Sequence, residues 1–403
     1  MTNQTRPYIA NNLMTPVPVL HIITRLIVGG AQENTMYTAA LLDKSHFHVE
    51  VISGPQTGSE GSLIGEVRGR GISLTILPDM LRQVNPLHDL RALFQIAHRL
   101  RDGNYTVVHT HSSKAGILGR LAARLAGVPI IVHTVHGWSF HNHMSPMTRW
   151  TYIVLERWCA SFTDALIVVA HPDIQKGLQA GIGRPDQYHM IRSAIPLEDF
   201  NPSHYDRKTV RQELGLPLDV PVLGNVGRFS EQKNPLEWVR IAGRVGRQLP
   251  ECRFLLVGDG PLRSLVEAKF KEEGLAERTV ITGLRRDVPR LLSAMDVFLL
   301  TSLWEGLPRV IPQSLAMGIP VVAGRAGGII DVITDGQNGY LCDPGDLDGL
   351  TSRCLELLKN PALRATMGER GRELAVREFD IKKMVDQITE LYNELLHRKH
   401  IKV

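Results

Sequence analysis

The segment GRFSEQKNP at 227–235 carries Arg228 and Lys233 just past an apolar run at 222–225. Cations that follow a buried strand sit at the carboxyl edge of a parallel sheet, where open α/β folds bind ligands. Placed five residues apart, two cations can converge on a diphosphate and neutralise the charge it gains as it leaves. A solvated surface pair is the plainer alternative. Upstream, VGGAQEN at 28–34 puts Gly29 and Gly30 between a strand and a helix, where backbone N–H groups can meet a phosphate or a sugar. It lacks the three spaced glycines of a dinucleotide fingerprint, and a tight turn explains it equally well. VGDGPLR at 257–263 and TGLRRDV at 282–288 repeat the pattern of a turn after a strand and bring Gly258 and Leu284 toward the same edge.

What must position these groups is an alternation of short apolar runs with helical stretches. Runs at 17–23, 49–53, 75–77, 107–108, 130–132 and 166–169 read as strands, with helices such as 87–100 and 114–126 between them. A stretch rich in Pro and Asp at 196–221 interrupts the series. A second series follows at 222–225, 254–257, 280–281, 297–300, 320–323 and 339–342. Continuous Val/Ile/Leu strands are the mark of parallel sheets, which bury both faces. The pattern predicts an α/β chain of two Rossmann-like doubly wound domains, one over 1–196 and one over 197–380, with 197–220 as a linker. The last segment, 381–403, carries Met384, Ile388, Leu391 and Leu395 at helical spacing, which predicts a helix that packs back toward the N-terminal domain.

A length of 403 residues exceeds what one core serves and agrees with two domains. Cys159, Cys252, Cys342 and Cys354 form neither a close pair nor a zinc pattern, so free thiols and a reducing compartment are expected. Residues 1–18 are polar, without the apolar stretch of a secretory signal, and no run is long enough to span a membrane; the expected location is the cytoplasm. Of the net charge of +5, all lies in residues 1–196, which hold 17 Lys+Arg against 12 Asp+Glu and 13 of the 16 histidines. That half suits an anionic acceptor or the headgroups of the inner membrane face, against the plainer reading of a mildly basic surface. No dense basic stripe interleaved with aromatics is present, which argues against a nucleic-acid partner.

The stretch TSLWEGLPRVIPQSLAMGIPVVA at 301–323 places Glu305 and Gly306 in the turn after a strand, closes a helix with Ala316-Met317-Gly318, and opens the next strand at Pro320. It resembles the donor site of family 4 glycosyltransferases, retaining enzymes of the two-domain fold called GT-B, whose domains face a central cleft. The resemblance spans nearly the whole chain. VGGAQEN, VHTHSSKAG at 108–116, TVHGWSF at 134–140, IPLEDF at 195–200, GRFSEQKNP, VGDGPLR, TGLRRDV and the Glu305 segment all occur in family order. It implies that the N-terminal domain binds the acceptor and the C-terminal domain the nucleotide sugar. Arg228 and Lys233 would bind the donor pyrophosphate, and Glu305 would contact hydroxyls of the transferred sugar. Gly306 and Leu307 would assist through backbone amides, which Pro308 lacks. Gly258 and Leu284 join the donor-binding set, the Gly29-Gly30 loop closes over diphosphate or acceptor, and His136 lies near both sugars. One residue departs from the pattern: where the family has a second glutamate that grips the ribose diol, this chain has Gln313. Glutamine keeps a carbonyl acceptor but loses the charge, a change worth about 1 kcal/mol in nucleotide binding.

The activity implied is retaining transfer of a hexosyl or N-acetylhexosaminyl group, from a UDP-sugar by preference, to a glycan or lipid-linked acceptor in exopolysaccharide or cell-envelope synthesis. No metal or other cofactor is required, because the departing phosphate oxygen helps deprotonate the acceptor hydroxyl and cations stabilise the leaving group. Two other readings stand: a UDP-sugar 2-epimerase on the same fold, and a non-catalytic sugar-nucleotide-binding scaffold, the latter favoured by Gln313.

Other features take plainer readings. His109 and His111 alternate on a strand and His141-x-His143 repeats the spacing, but no cysteine or carboxylate completes a zinc set, so these histidines are expected to line the acceptor cleft or cap loops. Asp346 and Asp348 follow Pro344-Gly345 at the start of a helical stretch and read as cap and first-turn residues favoured by the helix dipole. Trp138, Phe140, Trp150, Tyr152 and Trp158, with Arg149 and Arg157, read as helix packing, with a membrane-interface contact as the alternative.

Overall fold

The computed structural model describes residues 15–56, 58 and 60–401; the polar stretch at 1–14 and the last two residues of the 381–403 segment lie outside the described residues. The N-terminal half runs β1 (Val17–Arg25), α1 (Gly30–Leu41), β2 (Phe47–Gly54), α2 (Ile64–Gly69), β3 (Ser73–Ile76), α3 (Pro86–Asp102), β4 (Val107–His111), α4 (Ser113–Ala126), β5 (Ile130–Val135), α5 (Pro146–Ala160), β6 (Ala165–Val168), α6 (His171–Gln179) and β7 (Tyr188–Met190). The second half runs α7 (Arg207–Glu213), β8 (Val222–Val226), α8 (Pro235–Gln248), β9 (Arg253–Val257), α9 (Arg263–Glu272), β10 (Thr279–Ile281), α10 (Val288–Leu292), β11 (Val297–Leu300), α11 (Val310–Ala316), β12 (Val321–Gly324), β13 (Gly339–Cys342), α12 (Leu347–Lys359), α13 (Pro361–Glu378) and α14 (Ile381–Arg398).

Each half forms one parallel sheet, ordered β3-β2-β1-β4-β5-β6-β7 and β10-β9-β8-β11-β12-β13. In both, the strand order reverses beside the first strand, between β1 and β4 and between β8 and β11. A crevice opens at such a switch point, outside the carboxyl ends of the strands. The loops that follow β1, β4, β8 and β11 hold Gly29, Ser112, Arg228 and Glu305 respectively, with Gly30 the first residue of α1. The central strands are buried on both faces, as their unbroken apolar runs require.

Local signals fix the helix ends. Asn85 caps α3 ahead of Pro86, Asp346 caps α12 by accepting from the Gly349 amide at 2.8 Å, and Gly127 closes α4 in the left-handed region. Asp346 thus takes the capping role its position predicts. The chain passes between the halves twice at one place: Ile195 donates to the Phe379 carbonyl at 3.0 Å and Ile381 to the Ile195 carbonyl at 3.2 Å. The second passage delivers α14 to the N-terminal sheet, where Met384, Ile388, Leu391 and Leu395 share a core with Val19, Val107 and Val132. Each such side chain contributes on the order of 1.5–3 kcal/mol by leaving water.

The aromatic group around α5 divides. Trp138 and Phe140 are buried and Trp138 donates to the Asp173 carbonyl at 2.7 Å, so packing accounts for them. Packing does not account for Trp150, 65% exposed, or Trp158, 55% exposed, which project from α5 with Met147 and Val154. The inward face of α5 is held instead by Glu156, whose carboxylate pairs at 2.6 Å with the fully buried Arg120 of α4.

Candidate active site

The loop after β8 and the loop after β11 are stitched together at the switch point. Thr301 donates its hydroxyl to the Lys233 and Asn234 carbonyls at 3.1 and 3.0 Å, and the Leu303 amide donates to the Gln232 carbonyl at 2.8 Å. Asn234, which leads into α8, takes a φ of 48°, a left-handed turn that asparagine tolerates, and Lys233 just before it faces the second loop. There Lys233 forms an ion pair with Glu305, whose side chain is only 6% exposed. Gln232 bonds the Trp304 carbonyl at 2.9 Å and the second Glu305 oxygen at 3.4 Å. Lys233 and Glu305 are therefore one unit, a cation and a carboxylate presented side by side.

Arg228 turns the other way. It reaches across the cleft to Glu60 at 3.1 Å, and Glu60 is gripped in turn by Arg25 through two contacts of 3.2 Å and approached by Arg82 at 3.7 Å. Burial by itself would raise the Glu60 carboxyl, but the hydrogen bond and charge of Arg25 and the charge of Arg228 hold it below its ordinary value. These four charged groups line a cavity of about 440 Å³ with Gly260 and Pro261. Three arginines about one carboxylate leave an excess of positive charge, and the buried Nε of Arg228 has no hydrogen-bond partner among the described residues. Such a hollow suits an anion. A larger hollow of about 630 Å³, lined by Arg244, Asp348 and Glu356 between α8 and α12, shares no residue with the cleft edge.

Gly306 brings the two domains into backbone contact. A Cβ on it would stand 2.2 Å from the His136 carbonyl oxygen, and one on Gly137 would stand 2.9 Å from the Gly306 amide nitrogen. His136 is thereby set directly opposite the Glu305 turn. Its imidazole is held down to about 3, by burial first and by the charge of Arg309 second, so it is neutral at ordinary pH. Behind Gly306, the Gly328 amide donates to the Gly306 carbonyl at 2.7 Å, and Leu307 sits in the core of the C-terminal domain.

The other expected residues spread along the same edge. Gly29 caps α1 and Gly30 opens it, within 3.4 Å of the Arg309 side chain measured from its would-be Cβ. Leu284 is 44% exposed and would meet a Cβ on Gly61 at 2.9 Å, so it lies across the cleft against the N-terminal domain. Gly258 has a φ of 150°, and a Cβ there would overlap the Gly227 carbonyl oxygen, so the turn after β9 runs tight against the turn after β8. Gln313 is buried on α11, and its amide makes no side-chain hydrogen bond among the described residues.

Several groups were not singled out from sequence. Arg309 donates to the Ala194 carbonyl at 3.0 Å and pairs with Glu33 in the first turn of α1, tying the glycine loop to the Glu305 segment. It lies inside the 301–323 motif, which was the available signal; Glu60 and Arg25 gave none. Trp304 stacks on His141 with ring centres 4.1 Å apart and on His143 at 5.1 Å, which puts that pair of histidines beside the Glu305 turn. His109 and His111 do not line the cleft. Both are fully buried on β4 with His21, because α14 covers that face of the sheet. The ligand atoms of these three histidines lie within 4.8 Å of one another, close enough to hold a metal ion, yet the nitrogens are engaged in hydrogen bonds.

Comparison with known proteins agrees with this geometry. The profile described as "Glycosyl transferases group 1" matches residues 206–374, and that described as "Glycosyl transferase 4-like domain" matches residues 29–193. The chain is 30% identical over 389 residues to an Escherichia coli enzyme named UDP-Gal:alpha-D-GlcNAc-diphosphoundecaprenol alpha-1,3-galactosyltransferase, covering 95% of this chain and 98% of that one. It is 27% identical to N-acetyl-alpha-D-glucosaminyl L-malate synthase of Bacillus anthracis, over 77% of this chain and 80% of the other. Among solved structures, Anabaena HepE in complex with UDP and glucose superposes with a TM-score of 0.81 at 22% identity, covering 94% of this chain and all of that one. Sucrose-phosphate synthase of Thermosynechococcus elongatus superposes with a TM-score of 0.80 at 21% identity, covering 95% and 100%. The relatives that match along most of the chain are named as transferases or synthases, which does not favour the epimerase or scaffold readings. With two Rossmann-like domains meeting at Gly137 and Gly306, the chain belongs to the group 1 glycosyltransferases of family 4 type and has the GT-B fold.

Proposed function

We propose that this glycosyltransferase transfers a hexosyl or N-acetylhexosaminyl group with retention from a UDP-sugar to a lipid-linked glycan acceptor, in exopolysaccharide or cell-envelope synthesis. The observation that carries the reading is the Lys233–Glu305 pair at the switch point, held opposite His136 by the Gly137–Gly306 contact. A donor diphosphate drawn to Lys233 and Arg228 releases Glu305 to accept from sugar hydroxyls. The same two cations then stabilise the charge on the leaving UDP, so the step needs no metal. The bond from the anomeric carbon to the phosphate oxygen breaks, the acceptor oxygen bonds to that carbon from the same face, and the departing phosphate takes the acceptor hydroxyl proton. Each bond broken at the anomeric centre is matched by one formed there. Support for the donor and for a polyprenyl-diphosphate acceptor comes from the Escherichia coli relative, whose name contains both.

The acceptor class also bears on location. No helix among the described residues is long and apolar enough to cross a membrane. The exposed Trp150 and Trp158, flanked by Arg149 and Arg157 on α5, support a peripheral seat for the N-terminal domain at the cytoplasmic face of the inner membrane.

The test is thermal stabilisation and turnover with UDP, GDP and ADP and their common sugars, on wild type, Lys233→Ala and Glu305→Ala. The reading expects stabilisation by UDP that Lys233→Ala abolishes, and slow UDP-sugar hydrolysis that Glu305→Ala abolishes. No stabilisation of wild type by any nucleotide would sink it.

A further inference from the structure

The buried histidines form a continuous line. On β1, β4 and β5 the register aligns His21 with His109 and His111 with Thr134, and the pleat turns all four side chains to the face covered by α14. Thr134 Oγ1 meets His109 Nε2 at 2.6 Å, and His109 Nδ1 meets the Tyr392 hydroxyl of α14 at 2.6 Å. That hydroxyl lies 3.4 Å from His21 Nε2, His21 Nδ1 lies 2.9 Å from His111 Nε2, and His111 Nδ1 lies 3.2 Å from His136 Nε2. The line thus runs from the middle of the sheet to the cleft. His21, His109, His111 and Tyr392 are all fully buried.

We propose that this line is a hydrogen-bond relay that fixes which ring nitrogen of His136 carries the proton, making Tyr392, His21 and His111 positioning residues for the imidazole that faces the sugar. Each neutral ring inside the line has one proton to give, and the buried Tyr392 hydroxyl, which meets only His109 and His21 among the described residues, keeps its own O–H satisfied by giving that proton to one ring and accepting from the other, so all links point the same way. Reversing one reverses all. His136 therefore presents either a donor or an acceptor at Nδ1, the nitrogen that makes no hydrogen bond among the described residues. Burial holds His21 down to about 3 and, with mutual repulsion, holds His109 and His111 well below the ordinary value, so no charge interrupts the line. A core position needs no such groups for packing, since polar atoms sunk in an apolar layer are costly unless every one is satisfied. The role of the other ring nitrogen in choosing a histidine's tautomer is general. The inference rests on the proposed function only in taking Nδ1 of His136 to meet donor or acceptor.

The experiment is long-range ¹H–¹⁵N correlation NMR of the histidine rings in the full chain, with His136 assigned by His136→Gln. Wild type should show the widely separated Nδ1 and Nε2 shifts of one neutral tautomer, unchanged down to about pH 5. Tyr392→Phe should move His136 to averaged shifts, and should lower kcat with the UDP-sugar about tenfold while the donor KM changes less than about twofold. Thr134→Val, which removes the inner end without touching α14, should move the same resonances even if Tyr392→Phe fails to fold. Averaged His136 shifts in wild type would overturn the relay, as would a single tautomer that survives both substitutions. A stoichiometric zinc ion in the purified protein would also overturn it, by making the same imidazoles a metal centre. Should wild type show no turnover with any nucleotide sugar, the proposed function falls, while the ring shifts still decide the relay.

Discussion

Gly137 and Gly306 meet across the domain boundary with no space for a methyl group on either. A Cβ on Gly306 would lie 2.2 Å from the His136 carbonyl oxygen and 2.7 Å from the Gly137 nitrogen. The neighbours are backbone, which does not swing aside as a side-chain tip would. The distance between His136 and Glu305 is therefore set by what these two positions lack.

Gly306→Ala tests that directly. Gly306 is not among the glycines with positive φ, so alanine fits its own backbone and only the opposing loop objects. The loops must part, each domain keeping its fold. A displacement of that kind costs roughly 10²-fold in kcat/KM for sugar transfer, with the melting temperature changed by no more than about 2–4 °C. An unchanged kcat/KM would show that the two loops are not required to touch during catalysis.

Gln313→Glu separates binding from stability. Position 313 is buried on α11, so a carboxylate placed there is desolvated, and the unliganded protein should lose about 1–3 kcal/mol. If the residue faces the ribose diol, the charge strengthens that bond and UDP binds about fivefold tighter, near 1 kcal/mol. Calorimetric unfolding and UDP titration read the two effects apart. Loss of stability with unchanged or weaker UDP binding would place the residue outside the nucleotide site.

Much of this was readable in the chain. The unbroken apolar strands, the turn after each and the spacing in α14 lie within short windows, and local periodicity carries them. β7 did not show, because Tyr188, His189 and Met190 form no apolar run. Glu60 was silent for a different reason: its partners Arg25, Arg82 and Arg228 come from three distant segments. His109 and His111 could be placed on one face by their spacing, but only the arrival of α14 decides that the face is buried. Arg228 and Lys233 share a motif yet face different carboxylates, Glu60 and Glu305, which come from segments far away in the sequence.

Asp173 gives the protein a pH-dependent stability. Burial raises its carboxyl to about 7, with the charge of Asp331 adding and that of Lys176 opposing. Between an unfolded value near 3.8 and the folded value of about 7, the folded chain holds a proton that the unfolded chain has released. Stability therefore falls as pH rises through that window and levels off above it. Asp173→Asn should be equal to wild type near pH 4 and more stable by on the order of 2–4 kcal/mol above pH 7. A stability difference that does not vary across the window would mean that Asp173 is ionised in the folded protein.

The outer face of α5 carries the last prediction. Met147, Trp150, Val154 and Trp158 fall on one stripe of the helix and are 77%, 65%, 37% and 55% exposed. Exposing two indoles to water forfeits the burial that a core or a membrane would give them, on the order of 1.5–3 kcal/mol each. Arg149 and Arg157 sit on the same helix, so anionic headgroups would meet charge where the acyl boundary meets the rings. Trp150→Ser with Trp158→Ser should lower the fraction bound to vesicles of anionic phospholipid at least about tenfold and leave the Tm unchanged, because neither ring belongs to the core. Binding of wild type should also weaken as salt rises, which a purely apolar contact would not do. UDP-sugar hydrolysis in solution should be untouched by the pair of substitutions, whereas transfer to an acceptor embedded in vesicles should fall in step with binding. Equal vesicle binding by wild type and the double variant would remove α5 as the membrane seat and leave its exposed indoles for another surface.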